Sequence, residues 1–151
     1  MGIPDPSWYQ PYQSLFAAGL RVAWHGDWRA SDFATDTDDM LRSNFGALLN
    51  SLTTRVQHNA DGTACAPPPW YAAEAVTTLQ ALRMMTINAA YALGTDSVVG
   101  SLEPGKFADL VIVNQDPLLL SPSALTGVRV VSTVVGEAPV SCAPEAASLC
   151  P

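Results

Sequence analysis

Residues 20–24, LRVAW, read as a short apolar strand standing alone in a helix-rich first half, and no further strand is expected before residue 98. One strand cannot make a sheet, because its backbone donors and acceptors need a ladder partner. Its partners are therefore expected outside this chain. The same run leads directly into His25, Gly26 and Asp27, with Asp32 shortly after. By position alone Asp27 reads as a loop carboxylate in a polar turn. The competing reading is a metal or acid–base site at the mouth of a strand.

The remaining segments divide into two kinds. Around PYQSLFAAG, Leu15, Phe16 and Ala18 have a helical look, and Gly19 suits a helix C-terminus. Asp36 to Asp39 (DTDD) can start a second helix, since carboxylates favour the N-terminal end of the dipole. Met40, Leu41, Phe45, Leu48, Leu49 and Leu52 continue it to about Thr54. Residues 59–70, NADGTACAPPPW, read as a turn-rich loop. Thr77 and Gln80 then fit a capping box, and Leu79, Leu82, Thr86, Ala89, Ala90 and Leu93 carry a helix that Gly94 ends.

After Gly94 the pattern changes to apolar runs and period two. Strands are expected at 98–102, 107–114 and 128–135, with antiparallel pairing over 98–140 around a Pro-Gly turn at Glu103–Lys106. Lys106 reads as a solvated charge. Residues 115–127 form a loop with one helical turn, Gly136-Glu137 a tight turn into APV, and the tail from Ser141 lies on the surface. No internal repeat is visible.

Seven Lys and Arg against 14 Asp and Glu leave a net charge of −7, which disfavours nucleic acid and anionic membrane as partners. The sequence shows no transmembrane run and no signal-peptide pattern at MGIPDPSWYQ, so a cytoplasmic location is the default expectation. Three cysteines lack zinc-site spacing. Cys142 and Cys150 can form a local disulfide or stay as two thiols, and Cys65 reads as loop filler.

Three stretches carry a resemblance. ALRMMTINAAYALG, VVGSLEPGKFADLVIV and VRVVSTVVGEAPV supply Thr86, Asn88, Ala89, Ala90 and Gly94, then Gly100, Ser101, Leu102, Pro104, Gly105, Lys106, Ala108, Asp109, Leu110 and Val111. In that order and spacing they resemble the C-terminal end of amidohydrolase-superfamily enzymes, in the exoenzyme-like branch (amidohydrolase family 3) that includes N-substituted formamide deformylases. The resemblance covers nearly the whole chain but only about the last quarter of a family member.

The resemblance implies an α/β fold: the C-terminal piece of a (β/α)₈ TIM barrel, followed by strands of a small composite β-sandwich. It assigns residues 1–95 to the barrel's last strand and helices, 96–141 to the sandwich strands, and 142–151 to a tail. It further implies that the complete enzyme hydrolyses a non-peptide carbon–nitrogen bond of a small amide-like substrate, using water activated by a divalent metal, for which zinc is expected. Asp27 aligns with the aspartate that binds metal and carries the proton, and Arg55 with an arginine near the substrate pocket. His25 stands where the family has a small residue and is expected to be a substitution, and Asp32 and His58 are expected to be loop residues.

Departures from the pattern bear on activity. Gly26 replaces a serine, Arg29 stands where a proline is expected, and no His-x-His pair, bridging-lysine candidate or later metal-binding histidine is found. Two histidines without ligand-spaced partners cannot build the usual site. The chain alone is thus expected to bind no metal tightly and to be inactive, the missing N-terminal part of the enzyme being its natural partner. The alternative is a non-catalytic remnant acting as a folding or interaction module.

Overall fold

A computed structural model of the chain describes residues 10–24, 37–58 and 63–150. The helices are α1 (Tyr12–Ala17), α2 (Thr37–Thr54), α3 (Pro69–Ala72), α4 (Thr78–Met85) and α5 (Ile87–Ala92). Two-residue strands β1 (Gln57–His58) and β2 (Ala64–Cys65) pair antiparallel, with Gln57 opposite Cys65. Strands β3 (Leu110–Val113), β4 (Val130–Val135) and β5 (Ala138–Cys142) form a three-stranded antiparallel meander in that order. The result is a mixed helix and sheet architecture, in keeping with the α/β expectation at that coarse level.

The helices start and stop where their end residues dictate. Thr77 Oγ1 accepts from the Gln80 amide while Gln80 Oε1 accepts from the Thr77 amide, so the expected capping box is formed. Helices α1 and α5 finish alike. Gly19 and Gly94 take positive φ, and their amides donate to Phe16 O and Tyr91 O. The amides that follow, Leu20 and Thr95, donate to Leu15 O and Ala90 O, completing Schellman motifs. The expected single helix from Thr77 to Gly94 is broken at Thr86, whose φ of −122° and ψ of −103° fall outside helical space. The break leaves the carbonyl of Met84 available to a partner outside the helix.

Helix α2 lies at the centre. Leu49 and Leu52 bury against Val22, Val76, Ala81, Met84, Leu125 and Val128. On its other flank Gly46 meets the 3₁₀ segment Pro122–Gly127, where an added Cβ would fall 2.3 Å from Leu125 O and 2.5 Å from Val128 O. Asn50 Nδ2 donates to Pro122 O at 2.8 Å on the same face. Val130 and Ser132 of β4 alternate inward and are buried, as period two requires.

Several expectations change. Residues 20–24 are not a strand: among the described residues no strand lies beside them. Their backbone is tied to the helices instead, with Trp24 N–H donating to Met84 O at 3.1 Å and Asn88 Nδ2 donating to Val22 O at 2.9 Å. Residues 98–102 form turns and bends, and the expected hairpin is reduced to one bond from Phe107 N–H to Val98 O. Within the expected 59–70 loop, Ala64–Cys65 form β2, which pairs with β1 just before it, and α3 begins at Pro69. Lys106 is held rather than solvated: its side chain is 12% exposed and Nζ donates to Asp96 O and Ser101 Oγ, both at 2.6 Å. The 107–114 and 128–135 strands form with trimmed ends, and Gly136-Glu137, both at positive φ, turn β4 into β5. Cys142 and Cys150 are joined in a disulfide. Among the described residues no helix is long and apolar enough to cross a membrane.

Candidate functional site

Helix α2 terminates on Arg55. Its amide donates to Ser51 O at 2.9 Å and its φ is 60°, the left-handed ending in which glycine is usual. A residue with a Cβ costs about 1–2 kcal/mol there, so the side chain must offset that cost. Its contacts do so. The guanidinium lies over the rings of Tyr71 at 4.0 Å and Tyr12 at 4.8 Å, and the residue is 3% exposed. Nη2 donates to Gln10 Oε1 at 3.0 Å and Gln10 O at 3.4 Å, while Tyr71 Oη donates to the same Oε1 at 3.0 Å. Gln10 also has positive φ, at 50°. Two left-handed non-glycine residues thus meet in one hydrogen-bonded cluster. Arg55 Nε–H has no acceptor among the described residues.

Glu74 anchors the cluster from behind. The amide of Ser14, in the first turn of α1, donates to Oε2 at 2.8 Å, and Ser14 Oγ donates to Oε1. Burial pushes the Glu74 carboxyl up. The Ser14 hydroxyl and amide, the Gln13 amide and the Arg55 charge outweigh that and hold it below its ordinary value. Carboxylate, helix N-terminus and guanidinium therefore fix α1 against the α2–α3 corner.

The sequence 66–70, APPPW, builds the adjoining wall. Pro69 occupies the first turn of α3, where its missing N–H loses nothing, and α3 then places Trp70 and Tyr71 with ring centroids 5.4 Å apart. The β1–β2 pairing returns Cys65 to the same place. Between these elements lies a cavity of about 290 Å³ lined by Arg55, Tyr71, Trp70, Cys65, Ala66, Pro67 and Pro68. Its walls are largely apolar with one fixed cation. This arrangement can bind and polarise a ligand group that accepts hydrogen bonds.

Asp27, His25 and Asp32 lie outside the described residues. The segment leading to them is described: the helix break at Thr86 and the side chain of Asn88 secure residues 22–24 through the two bonds given above. Among the described residues no three His, Cys, Asp or Glu side chains come together as metal ligands. The described residues therefore do not make up a metal's donor set, and no step through a metal follows from them. Of the expected site residues, Arg55 alone is described. Gln10, Tyr12, Tyr71 and Glu74 did not stand out in the sequence, and Asn88 did so only as part of the resemblance. The one local signal was an arginine at a helix end where glycine belongs.

Comparison with known proteins now places the chain. Its residues 1–141 match the family model described as the amidohydrolase family. The chain is similar to an N-substituted formamide deformylase of Arthrobacter pascens, 43% identical over 125 residues that cover 83% of this chain and 20% of that protein. It is also similar to a 5-methylthioadenosine/S-adenosylhomocysteine deaminase of Thermoanaerobacter pseudethanolicus, 54% identical over 110 residues covering 73% and 21%. A solved amidohydrolase of Thermotoga maritima aligns over 48% of this chain and 18% of its own, with 26% identity and a TM-score of 0.40. The chain spans about a fifth of the length of the first two relatives. With the family match running over residues 1–141, this chain belongs to the amidohydrolase family.

Proposed function

We propose that this chain supplies the C-terminal share of a metal-dependent hydrolase acting on a non-peptide carbon–nitrogen bond of a small molecule. The observation that carries the reading is the family match over residues 1–141, together with relatives whose names, a formamide deformylase and a deaminase, both describe reactions at carbon–nitrogen bonds. The metal, when bound in the complete enzyme, supplies water acidified enough to attack at neutral pH.

This chain's own contribution is Asp27. Its carboxylate would accept a proton from water and pass it to the leaving nitrogen, and in the complete enzyme it would be one of the residues holding the metal. The bonds from Trp24 N–H to Met84 O and from Asn88 to Val22 O support this role, since they hold the chain three residues before Asp27. Arg55 acts as a substrate contact from its fixed position at the cavity wall. Asp27, with only His25 and Asp32 as further candidates near it in the sequence, offers too few donors for a stable site, so the chain alone binds zinc weakly and is inactive.

Two experiments test this. In a chimera, the chain replaces the matching fifth of the Arthrobacter deformylase, and hydrolysis of N-substituted formamides is followed. Activity should appear and fall about 10²–10⁴-fold on Asp27→Asn, the range for losing a general acid–base group. An active chimera indifferent to Asp27→Asn would end the assignment. For the chain alone, calorimetric titration with zinc should give no stoichiometric submicromolar site. A tight site abolished by Asp27→Ala would show that the chain keeps a working centre by itself.

A further inference from the structure

We propose that the cavity beside Arg55 is a carboxylate-binding site, taking a small organic acid whose anionic group meets the guanidinium and whose flat apolar body lies between Trp70 and the Pro67–Pro68 wall. The inference deepens the reading of Arg55 as a substrate contact and rests on it: it names the group that the substrate presents there.

Four observations converge. A buried cation is costly unless compensated, and Arg55 is 3% exposed with an Nε–H that no described residue satisfies. The carboxylate nearest in effect, Glu74, is already committed to the Ser14 amide and hydroxyl. The guanidinium is also immobilised. It lies over two tyrosine rings, Gln10 accepts from it twice, and both Arg55 and Gln10 sit at positive φ. Backbone strain at two residues of one cluster is the pattern of a preorganised site. Finally, free space opens against this cation. Its 290 Å³ lies at the small end of ligand cavities and suits one ring with a short substituent.

Charge decides the ligand class. The apolar walls would accept an aromatic ring of any kind. A carboxylate adds a charge-assisted hydrogen bond to a fixed guanidinium in a place poorly screened by water, which a neutral amide of the same shape cannot match. Phosphate-bearing ligands fit less well, because a dianion would face a single cation among prolines and a tryptophan.

The test compares phenylacetate with its neutral isostere phenylacetamide, titrated into the whole chain and followed by the Arg55 Nε–H and Trp70 indole N–H resonances. Phenylacetate should bind about tenfold or more tightly than phenylacetamide and move both resonances. Ala66→Trp, which fills the cavity and leaves the cluster alone, should abolish binding without changing the melting temperature by more than a few degrees. Arg55→Gly removes the cation while relieving the left-handed strain, and should reduce the two ligands to equal affinity. Equal affinities in the unaltered chain, shifts that leave out Arg55, or binding that survives Ala66→Trp would each overturn the proposal. The chimera distinguishes the two readings. Loss of activity on Asp27→Asn without any preference for carboxylate-bearing formamides would leave the proposed function standing and remove the carboxylate from its substrate.

Discussion

Glu74 shows how much one side chain can settle here, and how poorly the sequence announces it. The residue is 9% exposed, and its hydrogen bonds from Ser14 and Gln13, with the Arg55 charge, outweigh burial and hold its pKa below the ordinary 4.5. A lowered carboxyl stabilises the fold fully above its unfolded value and loses that contribution as pH falls through the folded one. Glu74→Gln should therefore cost about 1–3 kcal/mol at pH 7, the worth of hydrogen bonds to a charged group. It should also flatten the decline in stability between about pH 5 and pH 3. Urea unfolding at a series of pH values measures both, and superimposable curves for the two proteins would refute the assignment. None of this could be read locally, because Gln10, Ser14, Arg55, Tyr71 and Glu74 come from separate segments and meet only in the packed chain. Asp27 was the reverse case: its local sequence was visible at once, but its meaning came from the resemblance downstream. Lys106, read as a solvated charge, lies folded over its own turn, because Asp96 O and Ser101 Oγ satisfy its ammonium better than a free rotamer would.

Elements whose ends carry their own chemistry were legible, and elements that need a partner were not. The Thr77 capping box and the two glycine stops are local facts, so α4 starts as expected and α1 and α5 finish as expected. A strand is defined by what pairs with it. LRVAW has the composition of a strand, but its hydrogen bonds go to a helix carbonyl and an asparagine, and VVGSL likewise finds one cross-turn bond. The break at Thr86 was invisible for the same reason, since residues on both sides of it favour helix. Helix α2 supplies the element-scale prediction. Glycine inside a helix normally costs about 0.5–1 kcal/mol relative to alanine, so Gly46→Ala would be expected to stabilise. Here the new Cβ would stand 2.3 Å from Leu125 O and 2.5 Å from Val128 O, both backbone atoms that cannot rotate away. Overpacking should win, with a net loss on the order of 2 kcal/mol and a lower melting temperature. Unchanged or raised stability would mean that α2 and the 122–128 segment are less closely packed than described.

At the scale of the molecule, the balance between apolar surface and charge makes a final prediction. Leu102 and Phe107, on either side of the Glu103–Lys106 turn, are 72% and 62% exposed, and Leu93, Leu119 and Val140 are also exposed. Val111 and Ile112 of β3 are exposed as well. Apolar surface of this kind favours association, because removing it from water contributes about 25 cal/mol per Å². The net charge of −7 opposes association by repelling like molecules. Salt screens the repulsion, with a Debye length falling from ~30 Å at 0.01 M to ~8 Å at 0.15 M, and leaves the apolar attraction intact. Self-association should therefore strengthen as salt rises, the opposite of the trend for a complex held by ion pairs. Sedimentation velocity at low and physiological ionic strength reads this directly, and the paired substitution Leu102→Ser and Phe107→Ser should lower the weight-average mass at both. A monodisperse monomer at every salt concentration, melting in one sharp transition, would show that the exposed residues are too scattered to act as a surface. An association that dissolves on adding salt would assign the contact to charge.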